Sequence, residues 1–210
     1  MHHDHIDRVI SVYNAIADTY AHAADKLLPQ PELKLFSQLV VKGGKILDAG
    51  CGSGRDVLYF IKHNFQAVGV DLSNRLLEIA RKKTGKAEFY KQDLRHLDFP
   101  KTHFDGIWAC ASLVHLARHE VLPVLQSFYQ LLKPRGVLFL SVKEGKGEAD
   151  VREALSQNFA RHYIFFTMDE LDSLVQRAGF MLVKSYIWSE KDRDSTLRDF
   201  KWISYFCRKP

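Results

Sequence analysis

Hydrophobic and polar positions alternate along the chain with two periods, one typical of strands and one typical of helices. Short apolar runs predict strands, and stretches with apolar residues three or four positions apart predict amphipathic helices. The predicted strands span residues 45–48, 66–72, 87–94, 104–111, 137–143, 181–189 and 201–208. The predicted helices span residues 5–20, 32–41, 55–64, 73–83, 120–133 and 167–179.

The order of these elements predicts the fold class. Strands that alternate with helices form a mostly parallel sheet with helices on both faces. Only a polar loop separates the last two predicted strands, so we expect them to pair as an antiparallel hairpin. Polar caps support two of the helices, because Ser73 precedes one and Thr167 forms a capping box with Glu170 at the start of another. The sequence therefore predicts a doubly wound α/β fold.

Composition and charge narrow the class of protein. The 210 residues include 30 Lys and Arg against 25 Asp and Glu, a net charge of +5. These charges are interspersed, whereas binding to a phosphate backbone favours clustered ones, so we expect no nucleic-acid partner. No apolar run approaches the roughly 20 residues that cross a bilayer, and the N-terminus lacks a signal peptide's apolar stretch. Three cysteines without a CxxC spacing fit a reduced compartment. We expect a cytoplasmic protein with no membrane partner.

A glycine-rich turn follows the first predicted strand. Asp48 ends the strand, and Gly50, Gly52 and Gly54 occupy alternate positions before the next helix. Such glycines allow a sharp turn and let a ligand approach the backbone at a helix N-terminus. Asp71, at the end of the second strand, is well placed to accept hydrogen bonds from both hydroxyls of a ribose. These residues predict a nucleoside cofactor at the carboxyl ends of the strands.

The spacing of the glycines discriminates between nucleoside cofactors. A dinucleotide site would place its third glycine at position 55, where this chain has Arg55. The carboxylate of Asp48 would repel a pyrophosphate and attract a ligand that carries an ammonium and a sulfonium. S-adenosylmethionine carries both groups. A nicotinamide-dependent dehydrogenase is therefore the less favoured alternative.

Further motifs make the chain recognisable. In chain order they are residues 13–20 (YNAIADTY), 48–54 (DAGCGSG), 68–71 (VGVD), 92–94 (QDL), 104–110 (FDGIWAC) and 131–136 (LLKPRG). With these motifs the chain resembles the class I S-adenosylmethionine-dependent methyltransferases of the small-molecule type. The resemblance implies a Rossmann-like, mostly parallel seven-stranded sheet with an antiparallel C-terminal hairpin strand. It also implies a single domain with a helical cap (1–41), a cofactor-binding core (42–145) and a substrate-side and C-terminal hairpin region (146–210).

The resemblance implies a set of cofactor-binding residues, which are Tyr20, Asp48, Gly50, Cys51, Gly52, Arg55, Asp71, Leu72, Gln92, Asp93, Leu94, Ala109 and Cys110. In this set the three residues 50–52 would line the methionine part, with Asp48 on its ammonium side and Arg55 near its carboxylate. Asp71 would bind the ribose and Leu72 would pack on the adenine. Asp93, between its two neighbours, would accept from the adenine amino group.

The remaining members of the set surround the reacting group. Ala109 and Cys110 would form the floor beneath the sulfonium, and Tyr20, with Tyr13, would close the pocket from the N-terminal helix. The implied reaction is in-line methyl transfer to a small or medium-sized acceptor, with S-adenosylhomocysteine as product. A non-catalytic module that binds S-adenosylmethionine or a partner is the alternative.

His115 is the candidate general base, because it follows the fourth strand at the edge where ligands bind. The other interpretation is a structural histidine that bonds to the backbone. His115 and His119 are four positions apart but no third ligand accompanies them, so we expect no metal site. Cys51 and Cys110 are interpreted as packing residues and not as nucleophiles, since neither has a base beside it in sequence.

Overall fold

The structure is a computed structural model that describes residues 4–85, 87–152, 156–193 and 200–210. Its helices are α1 (Asp4–Ala15), α2 (Ala17–Asp25), α3 (Gln30–Leu39), α4 (Arg55–Lys62), α5 (Asn74–Thr84), α6 (Arg118–Leu131), α7 (Met168–Arg177) and α8 (Glu190–Arg193). Its strands are β1 (Lys45–Ala49), β2 (Gln66–Asp71), β3 (Glu88–Lys91), β4 (Phe104–Cys110), β5 (Leu132–Lys143), β6 (Glu148–Arg152), β7 (Ala160–Ile164), β8 (Met181–Ser189) and β9 (Lys201–Arg208).

Seven of the strands form one twisted sheet in the order β3-β2-β1-β4-β5-β9-β8. The strands β1 to β5 run parallel, and β9 lies antiparallel between β5 and β8. The strand order reverses between β1 and β4, which opens a crevice at the carboxyl ends of these two strands. The predicted doubly wound α/β fold and its antiparallel C-terminal hairpin are confirmed.

Helices cover both faces of the sheet, and each face has its own apolar cluster. The helices α6 and α7 pack on one face, and α3, α4 and α5 pack on the other. Trp108, in the centre of β4, is fully buried and stacks on Phe139 with 4.0 Å between ring centroids. Its indole Nε1–H donates to the Asp56 carboxylate at 2.9 Å. This hydrogen bond satisfies the one polar atom of the ring, so the indole can lie inside the core.

The predicted helix caps are present. The Leu76 amide donates to Ser73 Oγ at 3.2 Å at the start of α5. At the start of α7 the Glu170 amide donates to Thr167 Oγ1, and the Thr167 amide donates to the Glu170 carboxylate. Within the described ranges, no helix combines the length and the apolar character that crossing a membrane requires.

The structure differs from the sequence-based elements in several places, among them α8 in the predicted polar loop and β5, which begins at Leu132 inside the predicted helix 120–133. The predicted helix 5–20 is interrupted at Ile16, where φ is −106° and ψ is 13°, so α1 and α2 are separate helices. The strands β6 and β7 form a small antiparallel sheet of their own that the hydrophobic pattern did not predict. Most of β6 is exposed, so it has no apolar face for a period of two to reveal.

Candidate active site

A cavity of about 960 Å³ lies at the carboxyl ends of the parallel strands, beneath α1 and α2. It contains most of the residues that the sequence singled out: Tyr20, Gly50, Cys51, Gly52, Arg55, Asp71, Leu72, Gln92, Asp93, Leu94, Cys110 and His115. Two others lie elsewhere. Ala109 is fully buried in the core and Asp48 is 2% exposed, and neither is among the residues that line the cavity.

The glycine turn after β1 forms one wall of this cavity. The amides of Gly50 and Cys51 both donate to the carbonyl oxygen of Val70 at 2.9 Å, which ties the turn to β2. Gly50 has a φ of +87°, and a Cβ added there would lie 2.4 Å from the Cβ of Ser112. The position therefore needs glycine for its backbone conformation and for its space.

Asp71 connects the glycine turn to the end of β2. One carboxylate oxygen accepts from the Gly52 amide at 2.9 Å and the other accepts from the Ser73 amide at 2.8 Å. Burial raises the pKa of Asp71 above its ordinary value, although these amides act in the opposite direction. A carboxylate has about four acceptor positions, so a carboxylate held in this way can also accept from a diol.

Arg55 lies at the cavity wall, but its guanidinium is bonded to the protein itself. Its Nε and Nη2 donate to the two carboxylate oxygens of Asp56 at 2.7 and 2.8 Å. Its Nη1 donates to the carbonyl oxygens of Ala24 and Leu27, and Nη2 also approaches the Cys110 sulfur at 3.9 Å. A guanidinium has five N–H groups, and these five contacts use all of them. In this arrangement Arg55 fixes the end of α2 over the cavity, and binding a methionine carboxylate would require it to release one of these partners.

Asp48 lies below the glycine turn, beside the Arg55–Asp56 ion pair. Burial raises the pKa of the Asp48 carboxyl well above its ordinary value, and the charge of Asp56 adds to this effect. One oxygen of Asp48 has no hydrogen-bond partner among the described residues. Burial disfavours the ionised form of Asp48, and Asp48 does not line the cavity, so the attraction for a sulfonium and an ammonium that the sequence analysis assigned to its carboxylate stays a prediction.

The raised pKa of Asp48 predicts a pH dependence of stability. The folded chain keeps this proton to a higher pH than the unfolded chain, whose aspartate pKa is about 3.9. The free energy of unfolding therefore falls as the pH rises from about 4 towards the raised pKa. We expect Asp48→Asn, which cannot ionise, to gain stability relative to the wild type as the pH rises from about 4 towards this raised pKa. Urea unfolding across this range measures the difference. Asp98→Asn, at an exposed carboxyl, is the control, and a flat difference for Asp48→Asn would contradict the assignment.

Asp93 and Gln92 lie at the adenine end that the resemblance implies. Arg95 Nε donates to the Asp93 carboxylate at 2.9 Å, and the Arg95 amide donates to it as well. Desolvation opposes ionisation of Asp93, but the hydrogen bonds and charge of Arg95 outweigh it and lower the pKa. The Gln92 side-chain oxygen accepts from the Asp98 amide at 2.9 Å. Asp93 is therefore an ionised acceptor whose orientation Arg95 fixes.

The thiols of Cys51 and Cys110 and the hydroxyl of Tyr20 line the cavity as protonated groups. Burial raises the pKa of Cys51 well above its ordinary value and the pKa of Cys110 to about 12. Burial, with the nearby Tyr13, also raises the pKa of Tyr20. A thiol acts as a nucleophile through its thiolate. The raised pKa values keep both cysteines in the thiol form, which agrees with their interpretation as packing residues.

His115 lies in a 3₁₀ turn after β4 and contacts Tyr13 of α1. Its Nδ1 lies 2.8 Å from the carbonyl oxygen of His162, and its Nε2 lies 3.0 Å from the Tyr13 hydroxyl. Arg161, on β7, donates from Nη1 to the same hydroxyl at 2.5 Å. One ring nitrogen thus bonds to the backbone, as a structural histidine would, and the other faces a hydroxyl in the cavity, so the role of His115 as a general base stays a prediction.

Sequence reasoning missed several residues of the far end of the cavity. They are Arg161, Trp188, Glu190 and Trp202, and Lys143 at the end of β5 lines the cavity with them. Arg161 and Lys143 are 2% and 1% exposed, which is unusual for cations. Arg161 lies far along the chain from the glycine turn, and nothing local marks it. Tyr163 lines the cavity and is also buried in the core.

The strand order and the cavity together define a class of protein. The sheet has this strand order, a glycine turn follows β1, and an acidic residue at the end of β2 faces the cavity. This is the arrangement of a class I methyltransferase domain.

Comparisons with known proteins support this class of protein. A family model described as a methyltransferase domain matches residues 46–136. Methyltransferase GfsG of Streptomyces halstedii is 28% identical over 84% of this chain and 66% of its own length. The S-adenosyl-L-methionine-dependent Diels-Alderase iccD of Talaromyces variabilis is 34% identical over 60% of this chain and 46% of its own length. The chain thus spans about half to two thirds of the length of these relatives.

A solved structure shows the same fold. The 1,6-didemethyltoxoflavin-N1-methyltransferase of Burkholderia thailandensis, with bound 1,6-didemethyltoxoflavin and S-adenosylhomocysteine, has a TM-score of 0.69 at 24% identity, covering 95% of this chain and 88% of that one. The family match over residues 46–136 and the named relatives support a class I S-adenosylmethionine-dependent methyltransferase domain.

Proposed function

We propose that the chain binds S-adenosylmethionine and transfers its methyl group to a small or medium-sized acceptor. The observation that carries this proposal is the link between Asp71 and the glycine turn on the wall of the cavity. In it the carboxylate that we propose for the ribose lies beside an open backbone surface. Above Gly52, the nearest atom to an added Cβ is a Tyr20 ring carbon at 4.0 Å, so a ligand can lie against this backbone.

Unsatisfied groups in the cavity wall fit a polar ligand. Ser112 Oγ is buried against Gly50 and has no hydrogen-bond partner in the described part of the chain. A buried hydroxyl without a partner is costly, so a bound ligand that bonds to it would gain affinity. The cavity of about 960 Å³ is large enough for a nucleoside and an acceptor together.

In the proposed mechanism the chain positions the reactants and forms no covalent intermediate with them. Asp71 would hold the ribose, the turn at Gly50–Gly52 the methionine part, and Asp93 the adenine amino group. Bound S-adenosylmethionine would supply a methyl group that is already activated on its sulfonium. The walls of the cavity would then hold the acceptor in line and exclude water. The three parts of the chain proposed for these tasks are the helical cap (1–41), the core (42–145) and the substrate-side region (146–210).

A second candidate function comes from the relatives. One of them is named an S-adenosylmethionine-dependent Diels-Alderase. A chain of this kind could keep the nucleoside site and use it without methyl transfer. Formation of S-adenosylhomocysteine in the presence of acceptors distinguishes the two functions, since only methyl transfer consumes S-adenosylmethionine.

Thermal unfolding with ligands tests the cofactor. At about 100 times its dissociation constant, S-adenosylhomocysteine should stabilise the chain by about 2.7 kcal/mol. In a domain of this size that corresponds to a rise of roughly 5 to 10 °C in the midpoint. NADH is the control ligand and should leave the midpoint unchanged. A shift with NADH alone would contradict the proposed function and favour a dehydrogenase.

A further inference from the structure

Three polar side chains from distant parts of the chain converge at the roof of the cavity. Tyr13 comes from α1, His115 from the turn after β4 and Arg161 from β7, and all three line the cavity. The Tyr13 hydroxyl lies 3.0 Å from His115 Nε2 and accepts from Arg161 Nη1 at 2.5 Å. The Arg161 guanidinium lies between two rings, 5.1 Å from the centroid of Tyr13 and 5.3 Å from that of Tyr163.

The hydrogen bonds indicate the proton positions for a neutral His115 ring. The carbonyl oxygen of His162 can only accept, so in that ring Nδ1 carries the proton. His115 Nε2 then has a lone pair and accepts the proton of the Tyr13 hydroxyl. Arg161 donates to the same Tyr13 oxygen and places a positive charge beside it. Tyr13, His115 and Arg161 are thus arranged so that a proton can move from Tyr13 to His115.

We propose that Tyr13 is the proton-accepting residue of the reaction, with His115 and Arg161 as its positioning residues, and that the acceptor is a phenol. This inference rests on the proposed function. The acceptor O–H bond breaks as its proton moves to Tyr13 Oη, while the proton of Tyr13 moves to His115 Nε2. The acceptor oxygen uses the freed electron pair to bond to the methyl carbon, and the pair of the broken carbon–sulfur bond stays on sulfur. The positive charge of the sulfonium is thereby replaced by that of His115.

Two features of the cavity support a phenol over other acceptors. A proton relay serves an acceptor that must lose a proton before or during attack, as a hydroxyl does. The same cavity is lined by the rings of Tyr163, Trp188 and Trp202, which give it an aromatic wall suited to an aromatic acceptor. Tyr20 also lines the cavity, but among the described residues it is the Tyr13 hydroxyl that contacts the His115 ring nitrogen.

Phenols of different acidity test the relay. Near pH 8, 4-nitrophenol is largely ionised, whereas phenol, with a pKa of about 10, keeps its proton. With radiolabelled S-adenosylmethionine, we expect Tyr13→Phe to lower kcat/KM by about 100-fold for phenol and by less than about threefold for 4-nitrophenol. His115→Gln should show the same pattern, and the loss with phenol should shrink as the pH is raised towards 10.

A second readout does not depend on turnover. In the nitrogen NMR spectrum of histidine-labelled chain, His115 should carry its proton on Nδ1, and Tyr13→Phe should move its Nε2 resonance to that of an unbonded acceptor. Tyr59→Phe and His63→Gln are matched controls. These two rings stack on each other at the end of α4, with 3.9 Å between their centroids, and do not line the cavity. They should leave kcat/KM within about twofold of the wild type.

Each outcome decides the proposal. An equal loss of kcat/KM with both phenols would show a structural role for Tyr13 and overturn it. A proton on His115 Nε2 would also overturn it, as would methylation of amines or thiols but of no phenol. No methylation of either phenol while S-adenosylhomocysteine still binds overturns the phenol assignment and leaves the nucleoside site intact. Failure to bind S-adenosylhomocysteine at all would instead refute the proposed function.

Discussion

Replacing Gly50 with alanine is expected to destabilise the chain by about 2 to 5 kcal/mol. About 1 to 2 kcal/mol comes from holding an L-residue at a positive φ, since the φ of Gly50 is +87°. The rest, about 1 to 3 kcal/mol, comes from overpacking, because the new Cβ would lie 2.4 Å from the Cβ of Ser112. A shift of the turn would also displace the Gly52 amide from Asp71, so the affinity for S-adenosylhomocysteine should fall by at least about tenfold. Urea unfolding and calorimetric titration measure the two effects.

Gly147→Ala is the matched control for this prediction. Gly147 has a φ of +74° and no atom within 4 Å of an added Cβ, so it has the positive φ without the collision. We expect it to cost about 1 to 2 kcal/mol and to leave the affinity for S-adenosylhomocysteine unchanged. Equal losses of stability in the two variants would mean that the Ser112 side chain moves away from the new methyl group without a cost in stability. The tight contact between the glycine turn and the end of β4 would then have no role in shaping the cavity.

The parts of the fold that were predicted from sequence are those with a strong local pattern. Residues Ile46–Leu47 and Val68–Val70 are buried runs between polar ends, so each was recognisable as a central strand. The caps at Ser73 and Thr167 act within one helical turn, and both are present. β6 and β7 were missed because their pairing joins residues 148–152 to 160–164 without a continuous apolar face. Their position depends on α1 and on the turn after β4, which no local pattern encodes.

The candidate site also has a part that the sequence predicts and a part that it does not. Gly50, Gly52 and Asp71 lie in short motifs, so their roles follow from spacing and from the strand ends. Arg161 is a buried cation that meets the cavity because β7 brings it there. The motif also suggested a charge at the cavity for Asp48, and the burial that raises the pKa of this carboxyl is a tertiary feature that the motif does not encode.

Replacing Asp71 with alanine is expected to weaken the binding of S-adenosylhomocysteine by about 1.5 to 3 kcal/mol, or roughly 10- to 150-fold. The variant removes the proposed acceptor for the ribose hydroxyls. It also leaves the amides of Gly52 and Ser73 without the carboxylate to which they donate. Asp71→Asn keeps one oxygen acceptor and should lie between the wild type and the alanine variant. Isothermal titration calorimetry gives the three dissociation constants.

The protonation of Asp71 adds a second test of the same prediction. The carboxylate binds a diol in its ionised form, and burial raises its pKa. The affinity of the wild type should therefore fall as the pH is lowered through this raised pKa, and that of Asp71→Asn should not. Asp105→Ala is the control, because Asp105 also accepts from a backbone amide, that of Lys45, but lies at the opposite end of the sheet. It should lower stability and leave the affinity unchanged. If Asp105→Ala weakened binding as much as Asp71→Ala, the effect would be a general loss of structure, and Asp71 would have no specific part in the nucleoside site.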